Sequence, residues 1–158
     1  MRLSIALAVA ALTLAACGRE EITGHPSPAE LRDAPASVVV AGQRLVLEAD
    51  LWRDFMPSSP PDGRPLAAVL RVKVAGGGLP SADVRADHVW VVNGAAVWET
   101  TPVEEHPRGS MGPWLEVVAR DGPKWGPGVR VDVVVRLRDK SGQAYLLRAA
   151  DRLIGRTD

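Results

Sequence analysis

The chain has 158 residues and balances 19 basic against 19 acidic side chains, so it is long enough for one domain with a buried core. A formal net charge of zero argues against nucleic acid or an anionic membrane surface as a general partner. The one cysteine, Cys17, excludes an intramolecular disulfide.

Met1-Arg2 is a short charged start, and Leu3 to Ala16 is an apolar run broken only by Ser4 and Thr13. As a helix this run rises about 21 Å, short of the ~30 Å hydrocarbon core of a bilayer. It therefore reads as the h-region of a signal peptide and not as a transmembrane anchor. It ends in Leu14-Ala15-Ala16-Cys17-Gly18, which resembles the lipobox of bacterial lipoproteins. The resemblance implies cleavage before Cys17, a diacylglycerol on its thiol, and palmitate-type acyl chains that hold the protein on a membrane of the cell envelope. Gly18 in place of an aspartate permits outer-membrane sorting, facing the periplasm, if the cell is Gram-negative. Residues 1–16 are then the signal peptide. Residues 17–35 are polar and carry Pro26, Pro28 and Pro35, so they read as a lipid-anchored tether. Ala29 to Arg32 has room for a single helical turn, and His25 is assigned no role.

From residue 36 to residue 158 the pattern is that of a β domain. Ser37 to Ala41 is a short strand and Gly42 a turn. In Arg44 to Leu51, Leu45, Leu47, Ala49 and Leu51 share one face. Trp52-Arg53-Asp54-Phe55 is expected to leave the strand, and Ser58 to Pro65, with three prolines and an Asp-Gly pair, is a loop. Leu66 to Ala75 alternates again, with Arg71 and Lys73 outward. Gly76-Gly77-Gly78 stops it and is no phosphate loop, because no Gly-Lys-Ser/Thr follows. Val84 to Val92 and Ala95 to Thr101 form a hairpin about Asn93-Gly94, with Val92 opposite Ala95 and Val89 opposite Trp98. Both faces of this hairpin are apolar, so one enters the core and the other needs a cover or stands exposed. His88, beside Trp90, reads as a packed residue and not as a ligand.

Pro102 to Pro113 is a polar crossing. Glu104, Glu105 and His106 are metal-competent types, but no second histidine sits at a ligating spacing, so no metal is expected. Trp114 to Arg120 is a strand, and Asp121 to Gly128 a stiff loop around Trp125. In Gly128 to Ala150, Val129, Val131, Val133, Val135 and Leu137 alternate with Arg130, Asp132, Arg136 and Arg138. Asp139 to Gly142 turns the chain, and Tyr145 and Leu147 return on a second run. Asp151 to Asp158 extends the last strand.

Seven or eight strands without a 3.6-period segment give an all-β chain. The expected fold is an immunoglobulin-like antiparallel β-sandwich, with a small β-barrel as the alternative. If strands run alternately up and down, one end gathers Trp52, Arg53, Asp54, Phe55, Asp62, Arg64, Arg120, Asp121, Lys124 and Trp125, and loop ends of sandwiches are common binding surfaces. The competing reading makes the tryptophans plugs of the sandwich end and pairs Arg53 with Asp54 or Asp121. The stretches LWRDFMP, PPDGRP and RDGPKWGPG resemble segments of uncharacterised bacterial envelope lipoproteins with immunoglobulin-like domains, which implies no activity. Three histidines, no paired catalytic motif and no thiol left after lipidation make a poor catalytic inventory. The expectation is a non-catalytic, lipid-anchored envelope module without a cofactor that binds a protein partner at this end. The alternative is a carbohydrate or peptidoglycan binder with Trp52 and Trp125 as stacking platforms.

Overall fold

The computed structural model describes residues 25–158; the lipobox and signal peptide lie outside them. A short helix, α1 (Pro28–Arg32), precedes eight strands: β1 (Ser37–Val40), β2 (Gln43–Asp54), β3 (Leu66–Val74), β4 (Arg85–Asn93), β5 (Ala96–Thr100), β6 (Trp114–Gly122), β7 (Arg130–Arg138) and β8 (Ala144–Thr157). They form one mixed sheet, ordered β5-β4-β7-β8-β2-β3-β6 with β1 beside β2, curled into a half-barrel. Its halves face each other as the layers of a sandwich do, so the expected all-β class holds. One departure is that β8 belongs to both halves. Its first part runs antiparallel to β7, and its last part runs parallel to β2, with Leu51 opposite Ile154 and Asp54 opposite Thr157. The change of partner follows a bulge where Asp151 takes φ 54°, and bulges bend the strand that carries them.

The period-2 residues fill the space between the halves. Leu45, Ala49 and Leu51 of β2, Leu66 to Val72 of β3, Val89 and Val91 of β4, and Val131 to Leu137 of β7 build one core with Leu115, Leu147 and Ile154. The β4–β5 hairpin differs from expectation in register. Asn93 faces Ala96 and Val92 faces Val97, so the loop is Gly94-Ala95. Gly94 takes φ 59° at the first loop position, and a turn of that kind needs positive φ only there. The slip is two residues, so each side chain keeps its face.

The outer face of this hairpin is covered by the end of the segment expected to be a tether. Leu31 is fully buried and Ala34 nearly so, against Trp90, Val92 and Val134. A five-residue helix has too few internal bonds to stand alone. Here a capping box holds its start, with Ser27 bonded to the Glu30 amide and the Glu30 carboxylate to the Ser27 amide. Arg32 reaches Asp132 at 3.2 Å, and the Pro35 carbonyl accepts from the Arg148 amide at 2.9 Å. The folded body therefore begins near Ser27, ahead of residue 36. His25 also has neighbours: its Nδ1 lies 2.9 Å from Glu99, which accepts from Trp90 Nε1 at 3.1 Å.

Candidate functional site

The gathered end exists, but its ten residues divide between an interior clamp and an outer hollow. Strand β2 does not end at Leu51; it runs on to Asp54. Alternation then turns Arg53 inward with Leu51, and Trp52 and Asp54 outward. Arg53 is only 4% exposed. Its guanidinium donates to the carbonyls of Arg64 (2.9 Å), Gly126 (2.8 Å), Lys124 (3.2 Å) and Asp62. No carboxylate takes part, so the expected pairing with Asp54 or Asp121 is not made; Asp54 lies on the opposite face. A planar fork of donors suits carbonyls converging from two loops, and Arg53 thereby ties residues 62–64 to residues 124–126.

Trp125 belongs to this clamp. It is half-buried and packs against the main core. Two guanidinium groups lie over the Phe55 ring, Arg53 at 5.0 Å and Arg156 at 4.0 Å from its centre. Gly63 is required beneath it, because a Cβ there would come within 2.6 Å of the Phe55 ring. Asp62 and Lys124 close the loops from outside at 2.5 Å. Lys124 is the first cause that holds the Asp62 carboxyl below its ordinary value.

The other five residues, Trp52, Asp54, Arg64, Arg120 and Asp121, line a hollow of about 260 Å³ with Pro65 and Ala67. It lies on the outer face of the β2–β3–β6 half. A bulge opens it. Leu66 faces Gly122 and Ala68 faces Ala119, so Ala67 alone stands opposite both Arg120 and Asp121. In a regular strand these two would point to opposite faces; here both are exposed, with Asp121 at φ 64°. A bulge re-aims side chains in just this way, and aspartate tolerates the left-handed region better than most residues. Trp52 forms the wall. Its direct neighbours across the sheet are the small Ala67 on β3 and Gly155 on β8, and the residue is half-buried.

Polar groups around the hollow are partly occupied. Asp54 Oδ1 accepts from the Met56 amide at 2.8 Å; this bond is the main cause that holds its carboxyl below the usual range. Its Oδ2 lies 3.4 Å from Arg64 Nε, which also donates to Ser59 at 3.2 Å. Arg120 forms a two-pronged pair with Glu105, both bonds 2.8 Å, which lowers the Glu105 carboxyl and raises the guanidinium. Among the described residues, the Asp121 side chain makes no hydrogen bond or salt bridge.

Ala67, Pro65 and the role of Glu105 were missed at the sequence level. The signal for them is weak: an Arg-Asp-Gly at a strand end and an alanine where the partner strand has no matching residue. Among the described residues, no three histidine, cysteine or acidic side chains come together as a metal site, and no helix is long and apolar enough to cross a membrane. No protein-family model matches the chain, and no curated protein or solved structure matches it either.

Proposed function

We propose that this chain is a non-catalytic module anchored to the cell envelope by lipid on Cys17, and that it holds a protein partner through the outer hollow beside Trp52. The observation that carries this reading is the bulged hollow itself. A half-buried indole, two arginines and two aspartates converge around a gap that no described residue fills. Tryptophan and arginine are the side chains most enriched where binding energy concentrates. The site moves from the loop end, where Arg53 and Trp125 are structural, to the adjacent sheet face. The glycan reading is weakened by the same geometry, since Trp125 is half-buried against the core and does not line the hollow with Trp52. The anchoring rests on the lipobox-like Leu14-Ala15-Ala16-Cys17.

Two measurements on the full chain in its host test this. Intact mass should show a diacylglyceryl adduct, and Cys17→Ser should move the protein out of the membrane fraction. A photo-crosslinking amino acid at position 65, on the rim, should trap one discrete species, whereas the same group at position 140, at the β7–β8 turn, should not. Equal trapping at both positions, or none at 65, ends the partner reading; an unmodified Cys17 ends the anchoring.

A further inference from the structure

The occupant of the hollow follows from which of its charges are already matched. Arg120 is neutralised by Glu105 in a two-pronged pair, the strongest geometry such a pair can take. Arg64 faces Asp54 across 3.4 Å and donates to Ser59. Asp121, turned into the hollow by the bulge, has no side-chain hydrogen-bonding partner among the described residues. With Glu105, Asp54 and Asp121 against Arg64 and Arg120, the unmatched charge is negative. An anionic ligand would have to pull an arginine from its carboxylate; a cation displaces nothing. The Trp52 indole, half-buried, lining the hollow and with only Ala67 and Gly155 directly opposite, adds an aromatic face, and indole is the best of the aromatic faces for a cation. The volume of about 260 Å³ has room for one long side chain.

We infer that the hollow seats a lysine or arginine side chain of the partner protein, with its cationic head between the Trp52 ring and the Asp121 carboxylate. This rests on the binding role proposed above and adds the chemistry of the contact. The seat is exposed at its rim, so the single contact is weak, and added salt weakens it further.

The test uses the full chain in detergent micelles with 5-fluorotryptophan at its five tryptophans. The Trp52 fluorine resonance is assigned from Trp52→Phe. Probes are acetyl-Gly-Arg-Gly-amide and its lysine counterpart, with the glutamate and norleucine counterparts and methyl N-acetylglucosaminide beside them. The expected result is a saturable shift of the Trp52 resonance alone with the arginine and lysine peptides. Asp121→Asn should weaken it roughly fivefold, as loss of one exposed charge pair does. A larger shift with the glutamate peptide or the sugar, no shift with any probe, or full affinity in Asp121→Asn overturns the inference. Because position 65 crosslinking does not depend on charge, a partner trapped there while Trp52 ignores the cationic peptides rejects the cationic seat and leaves the binding role standing.

Discussion

Arg53 shows how one side chain organises an end of the molecule. Its four acceptors are main-chain carbonyls of two loops that have no regular partners of their own. Buried carbonyls left without donors are costly, and hydrogen bonds from a charged donor are the stronger kind. Arg53→Ala is expected to lower unfolding free energy by about 3 kcal/mol, read by urea denaturation. Arg53→Lys should recover little, because an ammonium is compact and cannot span acceptors arranged around a planar fork. Full stability in Arg53→Lys would mean that charge alone matters and that the fork does not. The position was hard to read from sequence for a plain reason. An arginine following Leu51-Trp52 breaks the apolar alternation, so the pattern marks a stop where the strand continues with a polar residue on its inner face. Trp125 misleads in the opposite sense: prolines and glycines around it mark a loop correctly, but do not say that the residue packs, half-buried, against the core.

At the scale of elements, the informative case is α1 with its flanks. Strands with turn signals between them were legible because period-2 alternation records burial directly, and the helical turn at Ala29–Arg32 was legible too. Its docking was not. A single buried leucine in a proline-rich polar stretch carries no periodicity, and the apolar outer face of β4 that it covers is far away in sequence. Bulges are equally silent, since an inserted residue is visible only against a partner strand. The docking makes a definite demand. Leu31→Ala should destabilise the whole domain by about 3 kcal/mol, within the range for large-to-small changes at fully buried sites, and Ser27→Ala by about 1 kcal/mol through loss of the cap. Both are measured as shifts in the urea midpoint at unchanged slope. A loss below about 0.5 kcal/mol for Leu31→Ala, the size of an ordinary surface change, would restore the segment to a loose tether. If Cys17 carries lipid, firm docking from Ser27 also keeps the domain close to the membrane, because few residues remain to span the gap and each extends at most about 3.6 Å.

The whole molecule is one curled sheet, and its two halves share β8, so sheet pairing couples them and a common perturbation acts on both. Charge is such a perturbation. Total charge gave no hint of it, because a balanced composition does not say which acids face which bases across strands. Glu30, Asp54, Asp62, Asp87, Glu99, Glu105 and Asp139 all lie below their ordinary carboxylate values. Most are exposed and screened by salt. Asp87 is half-buried; burial pushes its carboxyl up, but hydrogen bonds from Arg136 (2.7 Å) and Arg138 (2.6 Å) outweigh this and bring it down. A carboxyl whose folded pKa is depressed binds fewer protons folded than unfolded. Its stabilisation is complete above the unfolded value, about 4, and is lost as pH falls through the folded one. The melting temperature should therefore hold steady from pH 7 to about 5 and fall below about 4. Asp87→Asn removes the charge that pairs β4 with β7, so the variant should melt lower at pH 7, and the gap to the parent should close as the pH drops and the parent's own Asp87 takes up its proton. Thermal melts across pH 2–7 in 0.5 M salt isolate this half-buried pair from the surface ones. Parallel curves, with a gap that stays constant into acid, would show that Asp87 acts through packing, and that its pairing with the two arginines contributes nothing to acid sensitivity.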